Sequence, residues 1–172
     1  RSLAPIWLWG LRAGCLIAAE AAKILPEKVS FLFWQPIHSG QMQFQQFLRL
    51  AAAAELMGEG RKGTAARIKA RLSQGETVEI AGYHLSPALA SGLNQALLTP
   101  PAGGAAHVKW LEIAPGELAP SPATIAQLAD WRGAGCQVAH QTVSGSPFWQ
   151  TVEPEPAHAL IQATLAAMEY GT

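Results

Sequence analysis

The sequence has no excess of charge of either sign. Its 12 Lys and Arg residues match its 12 Asp and Glu residues, so the formal net charge at pH 7 is zero. Proteins that bind nucleic acid usually carry a basic patch that attracts the phosphate backbone. We therefore expect no nucleic acid among the partners of this chain.

Cysteines and long apolar runs are also scarce. The two cysteines, Cys15 and Cys136, both lie in apolar stretches, which is typical of buried, reduced thiols. No run approaches the roughly 18 consecutive apolar residues of a membrane span. The first residues lack the basic start and long apolar region of a signal peptide. These features predict a cytoplasmic protein without a membrane span.

The sequence has no metal-binding motif such as H-x-x-x-H or C-x-x-C, and we predict neither a metal nor another cofactor. The chain is rich in hydrophobic residues that could form a core. Hydrophobic residues make up 49% of its 172 residues. That content and length favour a single domain with a substantial buried core.

Residues 6–19 form the stretch around which the rest is organised. A short apolar run leads into a turn bracketed by Gly10 and Gly14, and an Ala-rich helical run follows. In α/β-hydrolases a turn of pattern G-x-S-x-G raises a serine above the sheet, and its glycines avoid collisions with the neighbouring strand and helix. Here Arg12 occupies the serine position. The spacing predicts the scaffold of a hydrolytic site without its usual nucleophile.

Strand-like and helix-like segments alternate along the chain. We call the turn at 10–14 the elbow. After it, the predicted strands are 29–34, 77–81, 107–113 and 136–143. The predicted helices are 15–25, 41–56, 64–72, one from 87, 122–131 and 157–169. Thr64, Ser86 and Ser121 are expected to cap the helices that follow them. The alternation predicts an α/β fold, a parallel sheet with helices on both faces.

Residues of about 41–99 interrupt this alternation with additional helices. α/β-hydrolases carry a lid or cap as an insertion of this kind. We therefore predict a single α/β-hydrolase-like domain over residues 1–172, with a helical cap insertion at about 41–99. Because the chain starts without Met and soon enters an apolar strand, we expect earlier, missing strands of the sheet to precede it.

A serine hydrolase of this fold takes its nucleophile, acid and histidine from three loops at the carboxyl ends of strands. The elbow position holds an arginine, which cannot be deprotonated in a protein. The loop after the last strand has no histidine. The candidate catalytic groups are Glu117 as the acid, Ser146 nearest the expected histidine position, and the neighbouring pair His38 and Ser39 in the loop after strand 29–34.

Arg12 also has two explanations that need no catalysis. At a helix amino terminus, its guanidinium and the backbone around Leu11 and Ala13 could bind a carboxylate or phosphate. Alternatively, Arg12 could form a buried pair with Glu117 or with another buried acid. In either case Arg12 should lie at the carboxyl edge of the sheet, facing Glu117 or the 145–149 loop. Cys15 and His140 fit core positions better than catalytic ones.

Several tracts resemble one family. These are W-G-L-R-A-G at 9–14, F-W-Q-P at 33–36 with Ser39 and Gly40, Q-Q-F-L-R-L at 45–50, A-G-Y at 81–83 with L-S-P at 85–87, and P-F-W-Q-T at 147–151. Together they resemble hydrolase 2 of the exosortase A system, an α/β-hydrolase-like family. The resemblance covers nearly the whole chain. It implies that an arginine in the elbow is normal for the family.

The family is named for its fold and for gene neighbourhoods concerned with exopolysaccharide and with protein sorting at the envelope. The resemblance therefore implies an esterase-like or thioesterase-like hydrolase acting on a small or acyl-bearing metabolite of envelope or exopolysaccharide assembly. The residues themselves keep an alternative open. In that alternative the chain is a binding or accessory protein that holds an anionic ligand with Arg12 and has no catalytic activity.

Overall fold

The computed structural model describes residues 6–56, 63–80, 82–103, 107–116, 119–150 and 155–169. In chain order the elements are β1 (Trp7–Leu11), α1 (Gly14–Ala22), β2 (Ser30–Trp34), α2 (Gly40–Leu56), α3 (Thr64–Ser73), β3 (Val78–Ile80), β4 (Tyr83–Leu85), α4 (Pro87–Gln95), β5 (His107–Ala114), α5 (Pro122–Gly133), β6 (Gln137–Ser144) and α6 (His158–Glu169), with a short 3-10 helix at Phe148–Gln150.

These elements form two compact units. The first unit takes its described residues from Arg1–Pro36 and Leu98–Thr172, and the second is Ile37–Leu97. The second unit covers most of the insertion predicted at about 41–99. Its role as a cap stays a prediction.

The first unit contains a parallel sheet with the strand order β1-β2-β5-β6. In the central strand β2, every residue from Ser30 to Phe33 is buried, as expected for a parallel strand with both faces covered. Trp131 of α5 packs on Phe31 and Phe33. Leu160 of α6 packs in a cluster with Leu32. Because alternate residues of a strand point to opposite faces, α5 and α6 cover opposite faces. The predicted α/β class and parallel sheet are confirmed.

Two of the three predicted helix caps are confirmed. The Ser86 hydroxyl accepts a hydrogen bond from the Leu89 N–H at 3.1 Å, and the Ser121 hydroxyl accepts one from Thr124 at the same distance. The predicted Thr64 cap is wrong. Gly63 precedes α3 in a left-handed conformation, and Thr64 is already the first helical residue. A residue with helical backbone angles cannot take the N-cap position.

The second unit packs α2, α3 and α4 around a small antiparallel hairpin, β3 with β4. Its core consists of apolar side chains from all five elements, namely Phe44, Leu48, Ile68, Leu72, Val78, Ile80, Leu85 and Ala90. The sequence prediction of a strand at 77–81 corresponds to β3, although Ala81 lies outside the described residues. It missed β4, because three residues are too few to show an alternating pattern. Among the described residues, no helix is both long enough and apolar enough to cross a membrane.

Candidate functional site

The turn after β1 has the backbone geometry of an elbow. Arg12 has a φ of 51°, in the left-handed region that L-residues rarely adopt. Its N–H donates to the Trp34 carbonyl at 2.9 Å, and its own carbonyl accepts from the Cys15 N–H at 3.0 Å. Leu11 is the last residue of β1, and Ala13 occupies the N-cap of α1 without a side-chain cap. Arg12 therefore lies at the carboxyl edge of the sheet, as predicted.

The two elbow glycines have different reasons to be glycine. A Cβ atom on Gly10 would lie 2.6 Å from the Cys15 backbone nitrogen, a distance that real Cβ atoms do not show. A Cβ atom on Gly14 would meet nothing within 4 Å. The predicted steric requirement is therefore correct for Gly10 and wrong for Gly14, because Gly14 already lies in the open first turn of α1.

The Arg12 side chain lies against the loop that follows β6. Its guanidinium carbon is 5.2 Å from the centre of the Trp149 ring, a cation–π distance. This confirms the prediction that Arg12 faces the 145–149 loop. Burial lowers the pKa of Arg12 from its ordinary value, and the neighbouring Cys15 opposes that shift. An arginine nevertheless stays protonated at neutral pH.

A chain of aromatic rings continues from this contact along the carboxyl edge. Trp149 contacts Phe148 with ring centres 5.2 Å apart, and Phe148 contacts Trp34 at 6.3 Å. Trp34 in turn contacts Trp9 at 4.8 Å, and Trp9 is 61% exposed. The sequence predictions did not assign these rings to the site. The sequence feature that could have identified them is their position at the carboxyl ends of strands. Trp34 ends β2, and Phe148 and Trp149 lie in the loop after β6.

Cys15 lies directly behind the elbow but is not a usable nucleophile. The thiol is fully buried, and its sulfur lies 3.9 Å from the Trp34 carbonyl oxygen. Burial raises the pKa of Cys15 to about 12, while the hydrogen bond to Trp34 and the charge of Arg12 act in the opposite direction. Because the thiolate is the nucleophilic form, a thiol that stays protonated at neutral pH is inert. The structure agrees with a core role.

Ser146 lies beside a cavity of about 180 Å³ in the first unit. The cavity is lined by Ile113, by residues 144–146, by Phe148 and by residues 155–160. His158, the first residue of α6, shares this lining, and both His158 and Ser146 are exposed. Among the described residues, no hydrogen bond joins the two side chains. The activated pair of nucleophile and base that a hydrolase needs is therefore not formed in this conformation.

The other candidate catalytic residues lie elsewhere. His38 and Ser39 belong to the second unit, immediately before α2, where the Ser39 carbonyl accepts the Met42 N–H at 3.2 Å. Ser39 also pairs with Leu97 through the backbone. Glu117 lies outside the described residues, so its role as an acid and its pairing with Arg12 stay predictions.

A second polar cluster lies between β5, β6 and α5. His140 Nε2 is 2.9 Å from a Glu112 carboxylate oxygen, and the other oxygen accepts a hydrogen bond from the Thr124 hydroxyl at 3.1 Å. The two side chains are only 13% and 12% exposed. His140 is therefore a satisfied core residue, as expected, and its partner Glu112 was missed. No group of three or more potential metal ligands occurs within the described part of the chain.

Comparison of this chain with models of protein families, with curated proteins and with solved structures finds no match.

Proposed function

We propose that the carboxyl edge of the first unit binds a small anionic molecule and that Arg12 anchors it. The single observation that carries this proposal is the contact between the Arg12 guanidinium and the Trp149 ring. This contact places the guanidinium cation at the carboxyl edge of the sheet, against the loop after β6. A guanidinium offers five N–H donors in a fixed plane, which match the oxygens of a carboxylate or phosphate.

The surroundings of Arg12 favour the same ligand class. Arg12 immediately precedes the amino terminus of α1, where backbone N–H groups and the helix dipole favour negative charge. The elbow backbone fixes the start of the side chain, and the Trp149 ring fixes its end. A preformed cation loses little conformational freedom when it binds a ligand, which improves affinity.

The same geometry argues against hydrolysis by the usual route. The elbow carries a cation where the fold places a nucleophile, and the Cys15 thiol is protonated at neutral pH. The described part of the loop after β6, residues 145–150, contains no histidine. We therefore interpret the chain as an α/β-hydrolase-like binding or accessory protein. Its association with exopolysaccharide or exosortase systems and its cytoplasmic location belong to this proposal and rest on the resemblance.

Thermal unfolding with a panel of anions tests the proposal. At constant ionic strength, phosphate, sulfate, acetate and succinate are compared with chloride, and a bound anion raises Tm by mass action. We expect at least one anion to raise the Tm of the natural protein. Arg12→Gln should abolish that increase, and Arg12→Lys should retain part of it.

Arg132→Gln is the matched control, because Arg132 is an exposed arginine of α5 whose guanidinium bonds to the Val138 carbonyl. It should leave the anion effect unchanged. An increase that is equally large in Arg12→Gln would refute the proposal. The proposal would also be refuted if no anion in the panel raised Tm above its value in chloride.

A hydrolase remains the second candidate, since the elbow backbone is retained and Ser146 and His158 line one cavity. Turnover of p-nitrophenyl esters and acyl-CoA thioesters tests it, with Ser146→Ala, Ser39→Ala and Arg12→Ala measured in parallel. Turnover that Ser146→Ala abolishes would support an enzyme that uses this cavity. Turnover unchanged in all three variants would contradict every catalytic assignment, and no turnover would leave the binding function.

A further inference from the structure

A groove of about 610 Å³ lies within the second unit, between α2, α3 and α4. Its walls are single faces of helices. From α2 the lining residues are Gln41, Phe44, Gln45 and Leu48, and from α4 they are Pro87, Ala90, Ser91, Asn94 and Gln95. Spacings of three and four residues place side chains on the same side of a helix. Two facing helix surfaces therefore form the groove, together with Lys69 and Leu72 of α3.

The floor of the groove is apolar, and its rim is polar. The floor side chains, Phe44, Leu48, Leu72 and Ala90, are each at most 9% exposed. The neutral rim consists of side-chain amides and one hydroxyl, from Gln41, Gln45, Ser91, Asn94 and Gln95. An apolar lining with a few polar groups at its margin is typical of sites for small amphiphilic ligands.

Small side chains on α4 keep the groove open. Ala90 and Ser91 lie side by side on the lining face of this helix. The side chain of Ser91 is exposed, and its hydroxyl accepts a weak hydrogen bond from the Gln95 amide at 3.3 Å. A longer apolar side chain at position 91 would occupy the space that a ligand needs.

The charge at the groove favours an anion. Among the described residues that line it, Lys69 is the only charged one. On the same helix, Arg71 forms an ion pair with Glu76, and Arg67 donates to the Thr64 hydroxyl. Among the described residues, Lys69 has no ion pair. A lysine at the margin of an apolar groove matches a negatively charged head group at the end of an apolar chain.

The dimensions of the groove suit a small molecule. Its volume lies within the range of about 300–1,000 Å³ that is typical of small-molecule sites.

We propose that the groove binds an amphiphile with a linear alkyl chain and an anionic head group. The chain lies on Phe44, Leu48 and Leu72, and the head group lies beside Lys69. The site belongs wholly to the second unit and includes neither Arg12 nor the loop after β6.

Isothermal titration calorimetry of the full chain tests this proposal with three probes. Decanoate, kept below its critical micelle concentration, has both the chain and the negative charge. Butyrate has the same head group and a short chain, and decyltrimethylammonium has the same chain and a positive charge. We expect decanoate to bind with Kd below about 1 mM, and each of the other probes to bind at least about tenfold more weakly.

Variants then assign the binding to the groove. Lys69→Gln should weaken decanoate binding about five- to tenfold. The variant should no longer bind decanoate more tightly than decyltrimethylammonium. Ser91→Leu should abolish binding of both long-chain probes, with circular dichroism as the check that it folds. Asn94→Leu, on the same face of α4, serves as a second filling variant. Arg49→Gln, an exposed cation of α2 outside the groove, should leave decanoate affinity unchanged. The titrations are repeated in the Arg12→Gln background, which removes the carboxylate site proposed at the elbow, so that the remaining binding reports on the groove.

Three results would overturn the proposal. The first is the absence of decanoate binding up to about 1 mM. The second is decanoate affinity that is unaffected by Lys69→Gln and by the folded filling variants. The third is loss of decanoate binding in Arg12→Gln but in none of the groove variants, which would place the ligand at the elbow.

Discussion

The Arg12 guanidinium lies over the Trp149 ring although the two residues follow opposite edge strands of the described sheet. Arg12 follows β1 and Trp149 follows β6, and two strands lie between them. At about 4.8 Å per strand, the separation of the two edge strands is about 14 Å. The loop after β6 must therefore turn back across the carboxyl ends of the central strands. The contact between Phe148 and Trp34 of β2 is made on the way.

The protein should be more stable with glycine than with alanine at position 12. At a φ of 51°, a Cβ atom makes unfavourable contacts that glycine avoids. Both substitutions remove the guanidinium, so their difference isolates the backbone term. We expect the free energy of unfolding of Arg12→Gly to exceed that of Arg12→Ala by about 1 kcal/mol in urea denaturation. Equal stabilities would show that the turn relaxes to a negative φ.

Gly10→Ala should destabilise the protein, whereas Gly14→Ala should not. The new Cβ at position 10 would collide with the Cys15 backbone, which cannot move without distorting α1. We expect a loss of about 2 kcal/mol in the free energy of unfolding. The open position 14 should be unchanged or gain up to about 1 kcal/mol from helix propensity. A Gly10→Ala protein as stable as Gly14→Ala would contradict the elbow packing.

Cys15 should make stability fall at alkaline pH. Burial raises its pKa to about 12 in the folded state, whereas an unfolded thiol ionises near 8.5. Above the unfolded pKa, only the unfolded chain releases the proton, so rising pH favours unfolding until the folded pKa is reached. Between about pH 8 and about pH 10, natural protein should lose about 1–2 kcal/mol more than Cys15→Ala. Urea titrations at both pH values measure this difference, and parallel losses would refute it.

His140 should stabilise the protein through Glu112. His140→Leu leaves the mostly buried Glu112 carboxylate with its Thr124 hydrogen bond but without the imidazole. Loss of a buried partner of this kind costs about 1–3 kcal/mol. The control His158→Leu, at an exposed position, should change stability by less than about 0.5 kcal/mol.

A double-mutant cycle that combines His140→Leu with Glu112→Ala isolates the pair. We expect a coupling energy of about 1 kcal/mol between the two residues. If His140→Leu lowers the free energy of unfolding no more than His158→Leu does, the contact between His140 and Glu112 does not contribute to stability.

The sequence predicted the elements that have strong local signals. The buried run at 29–34 corresponds to β2, and the serine-proline pairs at 86–87 and 121–122 mark the first residues of α4 and α5. These features depend on residues that are neighbours in the chain. The elbow was predictable for the same reason, because strand, glycines and helix are contiguous.

The parts that were missed depend on residues far apart in sequence. Nothing local to Glu112 indicates that His140 will be its partner, because strand pairing alone brings them together. The aromatic rings from Trp149 to Trp9 likewise come into contact only because the loop that follows β6 crosses the sheet. Gly14 shows the opposite error. A glycine that completes a motif looked sterically required, although the space beside it is open.

The indole of Trp34 has one more contact, which joins β2 to α6. Its Nε1 donates to the Thr164 hydroxyl at 2.9 Å, and that hydroxyl donates to the Leu160 carbonyl. Thr164 comes 130 positions after Trp34. The orientation of the ring next to the elbow is therefore fixed by α6, an element far from β2 in sequence. Trp34 thus links the elbow edge of the sheet to the helix that covers one of its faces.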